Sequence, residues 1–348
     1  MSLLKLIKTT IKLLLLCSLL AIATGIYAWF YWQEWMQKPL PIPKEGITVT
    51  LEKGQTLGHL LNDLSRQQLL AYPKPLRWYA QAQNKTKVHQ GEYFLQPGIT
   101  PEGLLEKLNK GEVVLYQITF LEGWTIKQVL SALAAKDKIK PDSKNLTLDE
   151  IAKKLGIKNN HLEGWIFPDT YTFSRNTSDL DLLQQAHNKM RQLLDEKWQT
   201  RAEHLPYKTA YEALIMASII EKETGHSSER NQIAGVFVRR LQQGIRLQTD
   251  PTVIYGMGDA YKGKIRRKDL NTPTPHNTYT NTGLPPTPIA IPSLASIEAA
   301  LHPAEGNALY FVAKGDGTSE FSATLQEHNA AVRRFQLKRR QDYRSSPP

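Results

Sequence analysis

The residues best suited to chemistry stand at the end of one apolar stretch. Between Lys208 and Gly225, Ala213, Leu214, Ala217 and Ile220 recur at helical spacing, and Met216 and Ile219 widen the stripe. The spacing predicts a helix buried over most of its girth. Glu221 follows directly, and Gly225 is a natural stop. A carboxyl there sits at the negative end of the helix dipole and behind Ile219 and Ile220, where the charged form is disfavoured. The dipole supplies only ~0.3–1 kcal/mol, so burial has to supply the rest. A carboxylic acid kept protonated near neutral pH can serve as a general acid. On physical grounds alone, a solvated charged end made by Glu221, Lys222 and Glu223 accounts for the same residues better.

The chain that must position this helix has 348 residues, 41% hydrophobic and 22% charged, enough for two or three folded domains. It opens differently. Residues 1–12 carry Lys5, Lys8 and Lys12, and residues 13–32 carry no charge at all. A helix over that run reaches ~30 Å, the thickness of a hydrocarbon core. No acidic residue appears before Glu34, so the basic flank is expected to stay in the cytoplasm and the remainder to cross the membrane. Ala21-Ile22-Ala23 resembles a signal-peptide cleavage site. The apolar run nevertheless continues to Trp29-Phe30-Tyr31-Trp32, aromatics suited to a membrane interface, and a retained anchor is expected. Cys17 is the only cysteine and lies within the span, so no disulfide braces the exported part.

The net charge of +11 would suit nucleic acid, anionic lipid or an anionic polymer. Outside the cytoplasm nucleic acid is excluded as a partner, and no zinc-finger or RNA-binding signature is present. The histidines show no metal-binding spacing, so neither metal nor cofactor is expected.

Pro39-Leu40-Pro41-Ile42-Pro43, within 33–44, predicts a stiff extended linker. Over 45–134 a pattern recurs: a strand-like stretch (Thr48–Leu51, Tyr93–Leu95, Val113–Phe120), a glycine turn, then a helix opening at Thr56, Thr100 or Thr125. These units resemble the LysM fold, a small module that binds N-acetylglucosamine polymers. Residues 135–160 read as a polar connector with a short helix at Leu148–Leu155. An α+β domain is expected over 161–340. It has helices at Leu180–Trp198, Lys208–Thr224, Glu229–Gln243 and Leu294–Leu301, and a strand at Leu309–Ala313 pairing near Phe321. A final helix opens at the capping box Thr324–Glu327 and runs into Arg339, ahead of a 341–348 tail.

Long motifs follow one another in this region. They are Glu163-Gly164-Trp165-Ile166-Phe167-Pro168-Asp169-Thr170-Tyr171, Ala217-Ser218-Ile219-Ile220-Glu221-Lys222-Glu223-Thr224, Ser228-Glu229-Arg230 and Val236-Phe237-Val238-Arg239-Arg240-Leu241. Then come Arg246-Leu247-Gln248-Thr249-Asp250-Pro251-Thr252-Val253-Ile254-Tyr255-Gly256, Asn277 to Pro286, His302-Pro303 and His328-Asn329. Together they closely resemble the endolytic murein transglycosylase, or YceG-like, family.

The resemblance implies a lyase of the bacterial inner membrane with its catalytic domain on the extracytoplasmic side. It would cut the β-1,4 bond between N-acetylmuramic acid and N-acetylglucosamine within peptidoglycan strands, leaving 1,6-anhydro ends, and a wall synthase is a candidate partner. The family's catalytic glutamate is expected at Glu221. Gln248 and Thr249 are candidates for N-acetyl groups, Tyr279 for a sugar face, and Asn277 and Asn281 for hydroxyls and amides. Glu163, Tyr255 and Glu223 are cleft candidates, and Asp250 reads first as a helix N-cap followed by proline. Two rival readings are a lysozyme-like hydrolase pairing Glu221 with Asp250 or Glu223, and a non-catalytic glycan-binding scaffold.

Overall fold

A computed structural model describes residues 3–337 except Asn160 and Gly225. The stop assigned to Gly225, the end of the final helix at Lys338 and Arg339, and the 341–348 tail lie outside the described residues. The chain is a mixture of helices and strands in two compact units.

The first unit runs to Tyr116 and takes in Ser174–Asn176. In chain order it holds α1 (Leu3–Gln37), β1 (Ile47–Leu51), α2 (Leu57–Arg66), α3 (Pro73–Ala82), β2 (Gly91–Leu95) and α4 (Pro101–Lys110). Helix α1 is long and apolar enough to cross a membrane over Ile7–Gln37. Its large apolar side chains from Leu13 to Tyr31 are exposed. β1 and β2 pair antiparallel, Ile47 opposite Leu95 and Leu51 opposite Gly91. Leu57, Leu60, Leu61 and Leu64 of α2 and Leu104, Leu105 and Leu108 of α4 close over this ribbon with Tyr93. Burying one such leucine is worth roughly 1.5–3 kcal/mol relative to leaving it in water. The threonine helix starts form as the sequence predicts: Thr100 Oγ1 accepts from Gly103 N at 3.1 Å, and His59 Nδ1 reaches back to accept from Thr56 N at 3.1 Å. The Pro-rich segment, expected to run as a stiff extended linker, is tied to this core. Met36 and Leu40 enter this core, and Leu40 N donates to Ile99 O at 2.8 Å.

The second unit covers Gln117–Phe173 and Thr177 onward. The break therefore falls before the third strand–turn–helix repeat has ended. After β3 (Leu115–Thr119) come α5 (Ile126–Ala134), β4 (Ile139–Lys140), α6 (Leu148–Lys154), β5 (Thr170–Ser174) and β6 (Thr177–Ser178). Next are α7 (Asp179–Gln199), α8 (Ala210–Glu223), α9 (Arg230–Gln242), α10 (Asp250–Met257), α11 (Arg267–Asn271) and α12 (Leu294–Leu301). The hairpin β7 (Tyr310–Ala313) and β8 (Ser319–Ser322) precedes α13 (Leu325–Val332). Helix α12 packs against α7, α8 and α9, and Leu194, Leu214, Ile220, Phe237 and Ile297 meet in their shared core. β7 and β8 pair antiparallel with α13 against them.

Candidate active site

Helix α8 explains why its end is rigid. Every residue from Ala213 to Ile220 is buried, and Ser218 Oγ accepts from Ile289 N at 3.0 Å, tying the helix to the loop before α12. The last turn is thereby fixed, and side chains that advance ~100° per residue leave it in different directions.

Glu221 turns to α12. Its Oε2 accepts from Ser293 N at 3.0 Å, Ser293 Oγ at 2.6 Å and Ser296 Oγ at 2.6 Å. Both serines are buried, while Glu221 itself is only half-buried. Besides closing α8, this carboxyl therefore meets the N-terminal, positive end of a second helix, α12. Lys222 leaves on another side, its Nζ donating to Gly123 O at 3.2 Å.

Glu223 turns to a cavity of about 690 Å³ lined also by Arg240, Gln248, Asp250, Tyr279 and His328. Thr249 Oγ1 donates to Glu223 Oε1. The carboxyl keeps part of its surface open to the cavity but is otherwise enclosed by protein. That enclosure pushes it up to about 7, the Thr249 hydrogen bond pulls the other way, and the neighbouring Asp250 charge adds to the rise.

The motif that begins at Arg246 supplies the facing wall. Thr249, not Asp250, occupies the N-cap position of α10, without a side-chain capping bond, and Pro251 is the second helical residue. Asp250 is free of the capping role given to it by sequence. Its Oδ1 accepts from Tyr279 OH at 2.6 Å. Gln248 has φ of 54°, left-handed for a residue with a Cβ, and its Oε1 accepts from Arg240 Nη2 at 2.6 Å. Strain of this kind persists where surrounding bonds over-determine it. Here Gln248 N donates to Thr278 O and Thr249 N to Thr278 Oγ1 at 3.1 Å.

Asn277 and Asn281 both bond within their own loop, Asn277 from inside the fold and Asn281 from its exposed surface. Asn277 is fully buried, donating to Leu270 O at 3.1 Å and Thr272 O at 2.8 Å, while its Oδ1 accepts from Tyr279 N at 2.8 Å. Asn281 donates to Thr274 O at 2.7 Å and Asn277 O at 3.0 Å. Both hold the loop that carries Tyr279.

Buried Glu163 and half-buried Tyr255 form a separate pair. Glu163 accepts from Ile126 N at 2.9 Å and from Tyr255 OH at 3.1 Å, and burial pushes it up to about 7. Burial raises the Tyr255 hydroxyl too, and its ring stands edge-on to His276 at 4.8 Å. Close packing continues at Gly256, where a Cβ would lie 2.3 Å from Thr274 Oγ1.

Sequence reasoning gave no role to Ser293 and Ser296, which hold Glu221, or to Arg240. Arg240 lay inside a quoted motif, but nothing in its spacing marked it as buried against Gln248 and under Tyr310, whose ring lies 5.3 Å from the guanidinium. Among the described residues no group of three or more His, Cys, Asp or Glu side chains is placed to hold a metal ion.

Comparison with known proteins agrees with this architecture. Residues 49–334 match the model of the YceG-like family. A Bacillus subtilis protein named endolytic murein transglycosylase is 31% identical over 315 residues, covering 85% of this chain and 87% of that one. A Streptococcus pneumoniae protein of the same name is 28% identical over 343 residues, and the match covers 87% of this chain but only 61% of the pneumococcal one. The crystal structure of a putative YceG-like protein from Listeria monocytogenes superposes with a TM-score of 0.51 at 31% identity, covering 83% of this chain and 99% of that one. On this match, which spans both units, the chain belongs to the YceG-like family.

Proposed function

We propose that the protein is a membrane-anchored lytic transglycosylase that cuts within peptidoglycan strands, and that Glu223 rather than Glu221 is its acid and base. One observation carries the choice: of the two glutamates, Glu223 opens on the large cavity and is pushed up to about 7. Glu221 is instead occupied in holding the start of α12. The names borne by the Bacillus and Streptococcus relatives support the reaction class.

In this reading protonated Glu223 donates to the oxygen between N-acetylmuramic acid and N-acetylglucosamine as the C1–O bond breaks. The muramyl C6 hydroxyl, tethered to the reacting sugar, attacks C1 and returns its proton to Glu223. A 1,6-anhydro end forms, no water is consumed, and the acid is regenerated. The Asp250 carboxylate, steadied by Tyr279, supplies negative charge beside the developing positive charge at C1. Tyr279 offers its ring to a sugar face, while Gln248 and Thr249 border the N-acetyl groups. Helix α1 retains the protein in the cytoplasmic membrane with the second unit outside, and the strand–turn–helix units of the first bind glycan in the LysM manner.

Asp250 also gives a specific ground for the hydrolase alternative, because a second carboxylate near the acid is what water activation requires. Mass analysis of products from isolated wall sacculi separates the two. Muramyl ends lighter by one water support the lyase. Reducing ends as the main product support the hydrolase, and the absence of any turnover sinks both.

A further inference from the structure

Helix α1 changes environment without a break. Its large apolar side chains are exposed through Tyr31, Trp32 and Trp35 are half-buried, and Met36 and Leu40 are in the core of the first unit. A single continuous helix therefore joins the apolar span to a folded module, with no flexible spacer between them. Tyr31 and Trp32 lie about 30 Å from Leu13 at 1.5 Å per residue, the thickness of a hydrocarbon core, which sets them at its far edge, in the interface layer.

Helix α3 stands at that same level. Tyr31 OH and Tyr72 OH are 3.1 Å apart, the Trp35 and Tyr72 rings 5.2 Å, and the Trp32 and Tyr79 rings 6.1 Å. Leu76 and Ala80 turn into the core, which leaves Lys74 and Trp78, one helical turn apart, on the outside. Trp78 is 66% exposed, a large aromatic for which the fold has no internal use. From Gln67 to Gly91 there is no acidic residue, while Lys74, Arg77, Lys85 and Lys87 are basic. Lys38 shares a cavity of about 630 Å³ with Tyr31, Trp35 and Tyr72. Exposed tryptophan and tyrosine beside lysine and arginine is the composition that settles in a headgroup layer.

We infer that the Lys74–Trp78 face of α3 lies in the headgroup layer of an anionic phospholipid membrane, so that the first unit rests on the bilayer. The inference depends on the anchor role of α1, and its test distinguishes the two.

The full chain carrying Cys17→Ser is reconstituted in phosphatidylcholine vesicles with and without phosphatidylglycerol. A spin label is placed at Gln81→Cys, beside Trp78 on α3, or at Lys110→Cys. Lys110 ends α4, about 12 Å beyond Glu102, which itself bonds Gln37 of α1. Collision with lipid-soluble oxygen and with a water-soluble nickel complex is then measured. The Gln81 label is expected to show several-fold less nickel collision than the Lys110 label, with a wider gap when phosphatidylglycerol is present. Combined Lys74→Ala and Trp78→Ala should return it to water. Equal, water-like collision at both labels in a chain that resists carbonate extraction overturns the inference and leaves the anchor intact. Release of the chain by carbonate overturns the anchor and the inference together, and a gap indifferent to phosphatidylglycerol overturns the anionic preference.

Discussion

Glu221 and Glu223 stand two residues apart on α8, yet their carboxyls belong to different parts of the protein. Glu221 is held by the Ser293 amide and the Ser293 and Ser296 hydroxyls at the start of α12, and Glu223 is held by Thr249 at the start of α10. Each carboxyl is thus joined to the N-terminal end of another helix, α12 for Glu221 and α10 for Glu223. One of these connections faces a cavity large enough for a substrate, and the other lies beside the helical core.

The two glutamates should separate cleanly in mutants. Glu223→Gln keeps shape but cannot donate its proton, and turnover of wall glycan is expected to fall by ~10²–10⁴-fold with the fold intact. Glu221→Gln should mainly weaken the start of α12, lowering stability by about 1 kcal/mol, the usual scale of a lost cap. Turnover and thermal melting of both variants check this; a Glu221→Gln protein that is folded but inactive, beside an active Glu223→Gln, would falsify the assignment.

The pH profile follows from the same carboxyl. The reaction starts from protonated Glu223, so kcat/KM should fall as pH rises through about 7. The Asp250 charge contributes to that position, so Asp250→Asn should move the falling limb to lower pH. Profiles of both proteins measured on one substrate decide it, and an unmoved or upward-moved limb contradicts the electrostatic role of Asp250.

Tyr279→Phe removes the hydroxyl that donates to Asp250 but keeps the ring. Loss of a hydrogen bond to a charged group is worth about 1.5–3 kcal/mol, so activity should drop by roughly ten- to a hundred-fold. Near wild-type kcat would show that the ring alone matters.

Glu163 makes stability itself pH-dependent. Its folded value of about 7 lies above its ordinary value, so the native state holds a proton that the unfolded chain has lost. Stability is then fullest below the ordinary carboxyl range and declines as pH rises through about 7, by about 3 kcal/mol in all. Glu163→Gln cannot ionise and should remove its share of this slope, leaving the share of Glu223, which is raised to about 7 as well. Melting curves of the two proteins between acid and mildly alkaline pH test it, and parallel slopes would remove Glu163 as the cause.

Much of this protein was legible in its sequence because the determining interactions are local. The apolar run of α1, the threonine starts of α2, α4 and α5, and the stripe that buries α8 depend on residues within one or two helical turns, and each formed where the pattern placed it. The family could likewise be read from motifs taken in order. Tertiary structure alone decided which glutamate meets the cavity. Seen in sequence, Glu221 and Glu223 are the same chemical group at the same helix end. Their difference arises from Ser293 and Thr249, which lie 72 and 26 residues away and approach α8 from different sides. The same is true of Asp250, which looked like a cap until Tyr279 was brought against it, and of Met36 and Leu40, which looked like linker until α2 and α4 enclosed them. Local periodicity carries no information about such distant neighbours, and the electrostatics of a carboxyl is set by the neighbours it meets.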